Sequence, residues 1–440
     1  MKKSVRKNII GGVIAIVVVV GAILLAINFG VCGIYFSTTD WVVGMIEKYY
    51  YYDVSEEDVR AAGLDNLSGN VLDIYSGFYT SEEYDEMLQS NAGNNTGIGV
   101  SYSYIDNSFE RGIFINEVVG NSPAYLSGLR EGTFVLGAND ADGNSAQFNS
   151  TASFSDYILA HDTGEKFTLI TDRGEYEVSR EDYHASYCFM ATADTEWSIQ
   201  YNSSSEMQVV ETPSTKYSYL PEGTAYMKVT QFFGNAAYEV AELMREFNAE
   251  NCTSLIFDLR NNGGGYVDVM QSMSHVFIGD RDYMPAAMTA RYKDGKETVF
   301  NVNAIAQEDC LFPAECSLYV LANNGTASAS EALIGVLVSN GVVDYSDIYL
   351  SDYSQTYLEW SGTQNKNCRT YGKGIMQTTF RYFVTGDAIK LTTAKIYWPN
   401  GKCIHDVGLT VEDGCETVPA EWSITYADEE LQSAVAMIAG

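Results

Sequence analysis

The chain has 440 residues, 46% of them hydrophobic and 13% aromatic, which is enough apolar material for two or three domains and excludes a disordered polymer. Its 58 acidic and 26 basic residues leave a formal net charge of −32. Such acidity argues against nucleic acid as a partner and for a solvated acidic surface.

The N-terminus has the opposite character. Lys2, Lys3, Arg6 and Lys7 precede an apolar run from Ile9 to Ile27, and no further charge follows before Asp40. The run is long enough to cross a bilayer as a helix. The basic cluster predicts that its near end stays cytoplasmic. Residues 1–36 therefore read as a cytoplasmic stub and an uncleaved signal-anchor of a single-pass plasma-membrane protein, with the remainder extracytoplasmic. Such a location permits disulfides among the 8 cysteines. Cys310 and Cys316 flank a short Pro-containing loop and are candidates to pair, as are Cys368, Cys403 and Cys415. No Cys-x-x-Cys pair occurs, so no structural zinc site is expected.

Residues 37–92 read as a helical segment, with apolar positions at Val43, Met45 and Ile46, at Leu64 and Leu67, and at Val71, Leu72 and Ile74. A further helix starts near Thr80 or Ser81, either of which can cap it, with acids in its first turn. Asn91 to Asn95 reads as a linker. Residues 93–182 alternate strands with two short helices. Thr96-Gly-Ile-Gly-Val-Ser101 leads into alternating apolar positions at Ile113, Ile115 and Val118. Gly120 to Gly132 reads as turn, helix and turn, Phe134 to Leu136 as a strand and Tyr157 to Ala160 as a helix. Lys166 to Thr171 and Glu175 to Val178 form a closing hairpin. This order resembles a PDZ domain of the circularly permuted bacterial kind. The resemblance implies that the backbone of Gly97, Ile98, Gly99 and Val100 receives a peptide C-terminal carboxylate. Thr133 stands where such domains usually carry Asp, which predicts a weaker turn there.

Residues 183–440 read as an α/β core. His184 to Gly223, polar and Ser-rich from Asn202 to Glu206, looks like a connector. Ala225 to Thr230 is a strand and Asn235 to Phe247 a helix. Ser254 to Leu259 is a buried strand opening onto Arg260-Asn-Asn-Gly-Gly-Gly265, followed by a helix with Val267, Met270 and Met273 near one face. No Gly-Lys-Ser/Thr follows the glycines, so nucleotide binding is not expected. Three glycines allow close backbone approach and positive φ, which suits an oxyanion site. A second buried strand begins at Leu318. Asn323, Asn324 and Gly325 break it, and a helix with Leu333, Ile334 and Leu337 on one face follows. Ser328 falls at that helix's start, beside backbone N–H groups; on this stretch alone, a capping role outweighs a nucleophilic one. Val342 to Leu350 includes a strand, and Ser351 to Arg369 is a polar insertion. Thr370-Tyr-Gly-Lys-Gly-Ile-Met-Gln377 then precedes strands at Phe380 to Val384 and Ile389 to Ile396, a turn at Tyr397 to Lys402 and a closing helix from Asp428 to Ile438.

Four histidines occur, and none sits in a catalytic motif, so His161, His184, His275 and His405 read as structural or solvated. No His-Glu-x-x-His is present. Asp428, Glu429 and Glu430 look like a helix N-terminus rather than a glycosidase pair. A Ser/Lys arrangement remains. A lysine serves as base only when neutral, which burial favours. Gly372 and Gly374 would let Lys373 enter such a pocket, and an amide such as Gln377 could orient its amine without adding charge. Read alone, Lys373 is a surface turn lysine.

Taken together, Leu72–Tyr84, Gly97–Val100, Ser122–Gly128, Ala225–Phe232, Asp258–Gly265, Gly325–Glu331, Tyr371–Gln377 and Thr392–Gly401 resemble, in order, the motifs of the C-terminal processing peptidases, or tail-specific proteases. The resemblance implies an α+β protein with a crotonase-like α/β protease core behind the PDZ-like domain. It implies Ser328 as nucleophile, Lys373 as base and Gln377 as its assistant. Gly264 or Gly265 would form the oxyanion site together with the Ala329 N–H. Substrates would be exported proteins or peptides cut near accessible C-termini, with no metal or other cofactor; a homodimer is expected by resemblance only. The alternatives are a catalytically silent tail-binding protein and a hydrophobic-ligand carrier on the same core.

Overall fold

The computed structural model describes residues 37–106, 111–202, 204–279, 284–354, 367–420 and 428–439. The apolar run Ile9–Ile27, Cys32 and most of the Ser351–Arg369 insertion lie outside the described residues. Among the described residues, no helix is long and apolar enough to cross a membrane. The chain divides into two compact units. Of the described residues, one unit comprises residues 37–87, Arg291–Lys296 and Ile375–Ala394; the other holds the rest.

The first unit opens with helices Thr38–Tyr49 and Glu56–Ala62. Ser37 and Ser55 start them, each hydroxyl accepting the N–H of an aspartate three residues on. Trp41, Val42, Ile46, Leu67 and Leu72 bury against Tyr382, Ile389 and Leu391. Trp41 stacks on Tyr382 with ring centroids 4.9 Å apart. The expectation of a wholly helical segment fails at Gly77–Tyr79. These residues form a strand antiparallel to the start of Ala388–Tyr397, with Phe78 opposite Ile389. The partner lies some three hundred residues away, so local periodicity carries no trace of it. Thr80, not Ser81, caps the next helix: its hydroxyl accepts from Glu83 N–H, and the Glu83 carboxylate accepts from Thr80 N–H. The strand expected over Phe380 to Val384 lies earlier, at Ile375–Arg381.

In the second unit, Val100–Asp106, Arg111–Val118, Phe134–Asn139, Lys166–Thr171 and Gly174–Ser179 form an antiparallel sheet, with the short strand Ser145–Ala146 on Phe134–Asn139. Helices Pro123–Leu126 and Thr151–Ala160 accompany it. Its core is Ile98, Ile113, Ile115, Leu129, Val135, Phe154, Phe167 and Leu169. Part of the expected linker is a strand instead, Asn94–Gly97, antiparallel to Glu181–His184. Thr133 closes its turn rather than weakening it. The side chain is fully buried, and its hydroxyl donates to the Arg130 carbonyl at 2.7 Å.

His184 to Gly223 is no connector. Cys188–Ala191, Thr195–Tyr201 and Met207–Pro213 form an antiparallel meander that joins the core sheet through Thr224–Val229. Trp197 and Ile199 are buried, while Ser198 between them and Glu196 and Gln200 on either side are partly exposed. This half-buried alternation, with its polar outer face, reads as loop when composition dominates. From Thr224–Val229 the sheet turns parallel, through Ser254–Asp258, Ser317–Ala322 and Ile348–Tyr353 to Glu416–Ala420. Helices Ala236–Ala249, Val267–Ile278 and Ala329–Ser339 are the crossovers. Strands covered on both faces need apolar residues throughout, which is why Leu255, Ile256, Phe257, Leu318, Val320 and Leu321 run together and are all buried. All seven described cysteines are free thiols, so neither the candidate Cys310–Cys316 pair nor any pairing of Cys368, Cys403 and Cys415 is formed. Cys310 bonds Asp309, and Cys316 bonds the Cys252 carbonyl.

Candidate active site

In a parallel sheet the loops at the strands' C-terminal ends converge on one edge. The loop after Ser254–Asp258 and the loop after Ser317–Ala322 are stitched together there. Asn323 Oδ1 accepts the N–H groups of Asn261 and Gly325, both at 2.9 Å. Its Nδ2 donates to Asn261 Oδ1 at 2.9 Å and to the Tyr353 hydroxyl at 2.7 Å. The Asn262 carbonyl accepts Ala327 N–H and the Ser330 hydroxyl, each at 2.9 Å. A third loop, Thr370 to Gly374, joins through Tyr371 N–H to the Thr326 carbonyl at 3.0 Å.

These contacts hold Ser328 at the start of helix Ala329–Ser339 with φ 59° and ψ −116°. A non-glycine residue there carries strain on the order of 1–3 kcal/mol and persists only where its surroundings impose it. Glycine makes that packing feasible. Gly264 has φ +96°, and a Cβ on it would lie 2.7 Å from Ala327 O, 2.8 Å from Ala329 N and 2.8 Å from Ser328 Cβ. The Gly264 N–H is directed elsewhere, to Asn262 Oδ1 at 2.9 Å. Among the described residues, the N–H groups of Gly265 and Ala329 have no partner. Of the two glycines that the motif offers, Gly265 is therefore the one with a donor to spare.

Lys373 is half-buried between Gly372 and Gly374. Gly372 has φ +88°, and a Cβ there would lie 2.8 Å from Gly408 N; one on Gly374 would lie 2.7 Å from His405 N. The spacing thus follows from close backbone approach on either side of the lysine. Gln377 belongs to the other compact unit, where its amide donates to Thr392 Oγ1 at 3.0 Å.

Glu331 joins the loops, whereas in the sequence it only ends the Gly325–Glu331 motif. Its side chain is 1% exposed. Oε2 accepts Ser328 N–H at 3.0 Å and Lys373 N–H at 2.9 Å, and Oε1 accepts the Thr370 hydroxyl at 2.6 Å and Gly372 N–H at 2.8 Å. Burial pushes its carboxyl pKa up, against the pull of these four donors. The visible signal is the Ser-x-x-Glu spacing of a capping box, Ser328 to Glu331. Beneath the glycine loop, buried Arg260 pairs with Asp258 at 2.7 Å, Asp428 at 2.6 Å and Glu430 at 2.9 Å. The acids at 428–430 thus start helix Glu429–Ala439, as expected, and pin it as well.

His161 Nδ1 bonds the Tyr157 carbonyl, His184 Nδ1 bonds Asn94 Oδ1, and His275 Nδ1 accepts the N–H groups of Ile305 and Ala306. Among the described residues no cluster could hold a metal ion. In the antiparallel domain, Gly99 has φ +79°, and a Cβ on it would lie 2.1 Å from Ser122 Cβ. The carbonyls of Ile98 and Gly99 accept Ala124 and Val119 N–H, both at 2.9 Å, which anchors the Gly97–Val100 loop from below.

Residues 223–344 match the model of peptidase family S41. The chain is 22% identical over 375 residues to a "Probable CtpA-like serine protease" of Staphylococcus saprophyticus, covering 84% of this chain and 63% of that protein. A protein of the same name from Staphylococcus aureus is 24% identical over 374 residues, covering 84% and 62%. The chain thus spans less than two thirds of the length of these curated relatives. The crystal structure of a "Putative S41 protease" from Bacteroides fragilis shares the fold, with TM-score 0.56 and 14% identity over 91% of this chain and 97% of that one.

Proposed function

We propose that this chain, a member of peptidase family S41, is a membrane-anchored serine endopeptidase that cuts exported proteins or peptides near their C-termini. The observation that carries the reading is the placement of Ser328. It sits in a strained turn at a helix start, beside two open N–H groups, with the Lys373 backbone on the same carboxylate oxygen. In this reading neutral Lys373 takes the Ser328 hydroxyl proton as Oγ attacks the scissile carbonyl. The N–H groups of Gly265 and Ala329 receive the oxyanion. Lys373 returns the proton to the leaving amine, and water then releases the acyl group. The family resemblance also assigns Gln377 an assisting role. The run Ile9–Ile27 would anchor the chain with its catalytic part outside the cytoplasm, and the Gly97–Val100 loop would take the substrate's terminal carboxylate.

The test is cleavage of an unstructured protein with an apolar C-terminal tail by the full-length chain. Ser328→Ala and Lys373→Ala should each lower turnover by on the order of 1,000-fold or more. Full activity in Lys373→Ala would place the base elsewhere. Tail binding without cleavage by the unmodified chain would make it a binding protein. A separate expectation concerns the carboxylate loop. Gly99→Ala drives a methyl into Ser122, so tail-peptide affinity, followed by fluorescence anisotropy, should fall by about tenfold or more, since ~1.4 kcal/mol suffices. Unchanged affinity would move peptide capture to another surface.

A further inference from the structure

We propose that Glu331 is a positioning residue that sets the distance between nucleophile and base, by binding the backbone of both with one buried carboxylate. The inference rests on the peptidase reading of Ser328 and Lys373.

The two loops that carry these residues are separated in sequence by a long insertion and could reach many relative placements. Hydrogen bonding restricts them to one. Because Ser328 N–H and Lys373 N–H converge on the same oxygen, the two nitrogens can be no farther apart than its two bond lengths together, 3.0 and 2.9 Å. The other oxygen fixes the preceding turn through Thr370 and Gly372. Thr370 Oγ1 accepts Leu409 N–H at 2.7 Å in turn, so that turn is held from behind too. A carboxylate suits this place for a reason of valence. Four donors need two acceptor oxygens, and neither an amide nor a hydroxyl supplies two. The second role is conformational. An N–H bond to Ser328 holds that residue at φ 59°, a geometry that its own side chain disfavours. Ordinary helix capping would need only the first of these contacts. The bonds to Gly372 and Lys373, 41 and 42 residues away, go beyond it.

Glutamine keeps the length of the side chain but puts an NH2 group against at least one N–H donor. Aspartate keeps both oxygens but is one methylene short of spanning the loops. Misplacing reacting groups by about 1 Å costs about 100-fold in rate. Glu331→Ala should therefore lower kcat about 100-fold and Glu331→Gln about tenfold, with KM for a peptide substrate changed less than about threefold.

The closing experiment measures kcat, KM and the second-order rate of Ser328 modification by a small fluorophosphonate, on the full-length chain and on Glu331→Ala, Glu331→Gln and Glu331→Asp. The number of modifiable serines counts the folded molecules. The expected result is a full count of reactive serines, each reacting more slowly in step with kcat. A reduced count with an unchanged rate per reactive serine would make Glu331 a fold-stabilising residue only and overturn the proposal, as would unchanged kcat in Glu331→Ala. If the unmodified chain neither cleaves peptide nor takes up the reagent at Ser328, the peptidase reading itself fails and this inference falls with it. The unmodified chain therefore separates the two failures.

Discussion

Arg260→Met should cost about 3–5 kcal/mol of stability, read as a lowered urea midpoint. The guanidinium is 8% exposed and stands among three carboxylates, of which Asp258 is fully buried. Asp258 also accepts the buried Tyr226 hydroxyl at 2.6 Å, so it cannot turn out to solvent without breaking a second contact. Removing the cation leaves like charges facing one another in a poorly solvated site. The loss should be pH-dependent, with a definite sign. Burial alone would push the Asp428 pKa up, but the Arg260 charge and hydrogen bond hold it down to about 2, below the ordinary 3.8. In the unmodified chain, this group's contribution is present above about pH 3.8 and is lost as pH falls towards 2. In Arg260→Met the dependence reverses, because protonation relieves the repulsion. The deficit should shrink between pH 7 and pH 4. A deficit that stays constant over this range would mean that packing, not charge, makes up the contribution of Arg260.

Gly264→Ala should abolish most of the proposed peptidase activity while leaving most of the fold. Its φ of +96° already disfavours a side chain, and the added methyl would sit 2.8 Å from Ala329 N and 2.7 Å from Ala327 O. The helix start must shift, and the Ala329 N–H, the proposed oxyanion donor, shifts with it. A fall in kcat on the order of 100-fold or more is expected, with a melting temperature lower by a few degrees. The neighbouring glycine is the control: a Cβ on Gly263 would meet nothing within 4 Å. Gly263→Ala should therefore be close to neutral in both measurements. Equal losses in the two variants would show that loop flexibility, not the packing of Gly264 on the serine turn, is what the sequence protects.

Much of this was legible in the chain because it is locally encoded. The buried parallel strands announce themselves as apolar runs, and the helices as faces with caps. Ser328, Lys373 and the glycine loop stand in motifs whose order is specific. What was not legible depends on partners far away in sequence. Gly77–Tyr79 is a strand only because Ala388–Lys390 lies beside it. The meander over 188–213 alternates too gently for its polar face to look like sheet. The Asn262 side chain decides which glycine keeps its N–H, and neither motif nor composition carries that choice. Glu331 showed its capping spacing but not its bond to Lys373, which needs the third loop in place.

That dependence on distant partners has a consequence for the order of events during folding. The pairing of Glu331 with Lys373 spans 42 residues, and that of Arg260 with Asp428 spans 168. Contacts closed over such distances form late, after the loop-closure entropy has been met by the strands between them. The helices and the antiparallel hairpins can settle early, whereas the serine turn is expected to take its shape only once the parallel sheet that carries its loops is assembled. On the peptidase reading, a partly folded copy would be a bystander to its neighbours. Cleavage at Ser328, on the peptidase reading proposed above, would then begin only in the final step, once the chain no longer offers its own backbone as an extended substrate.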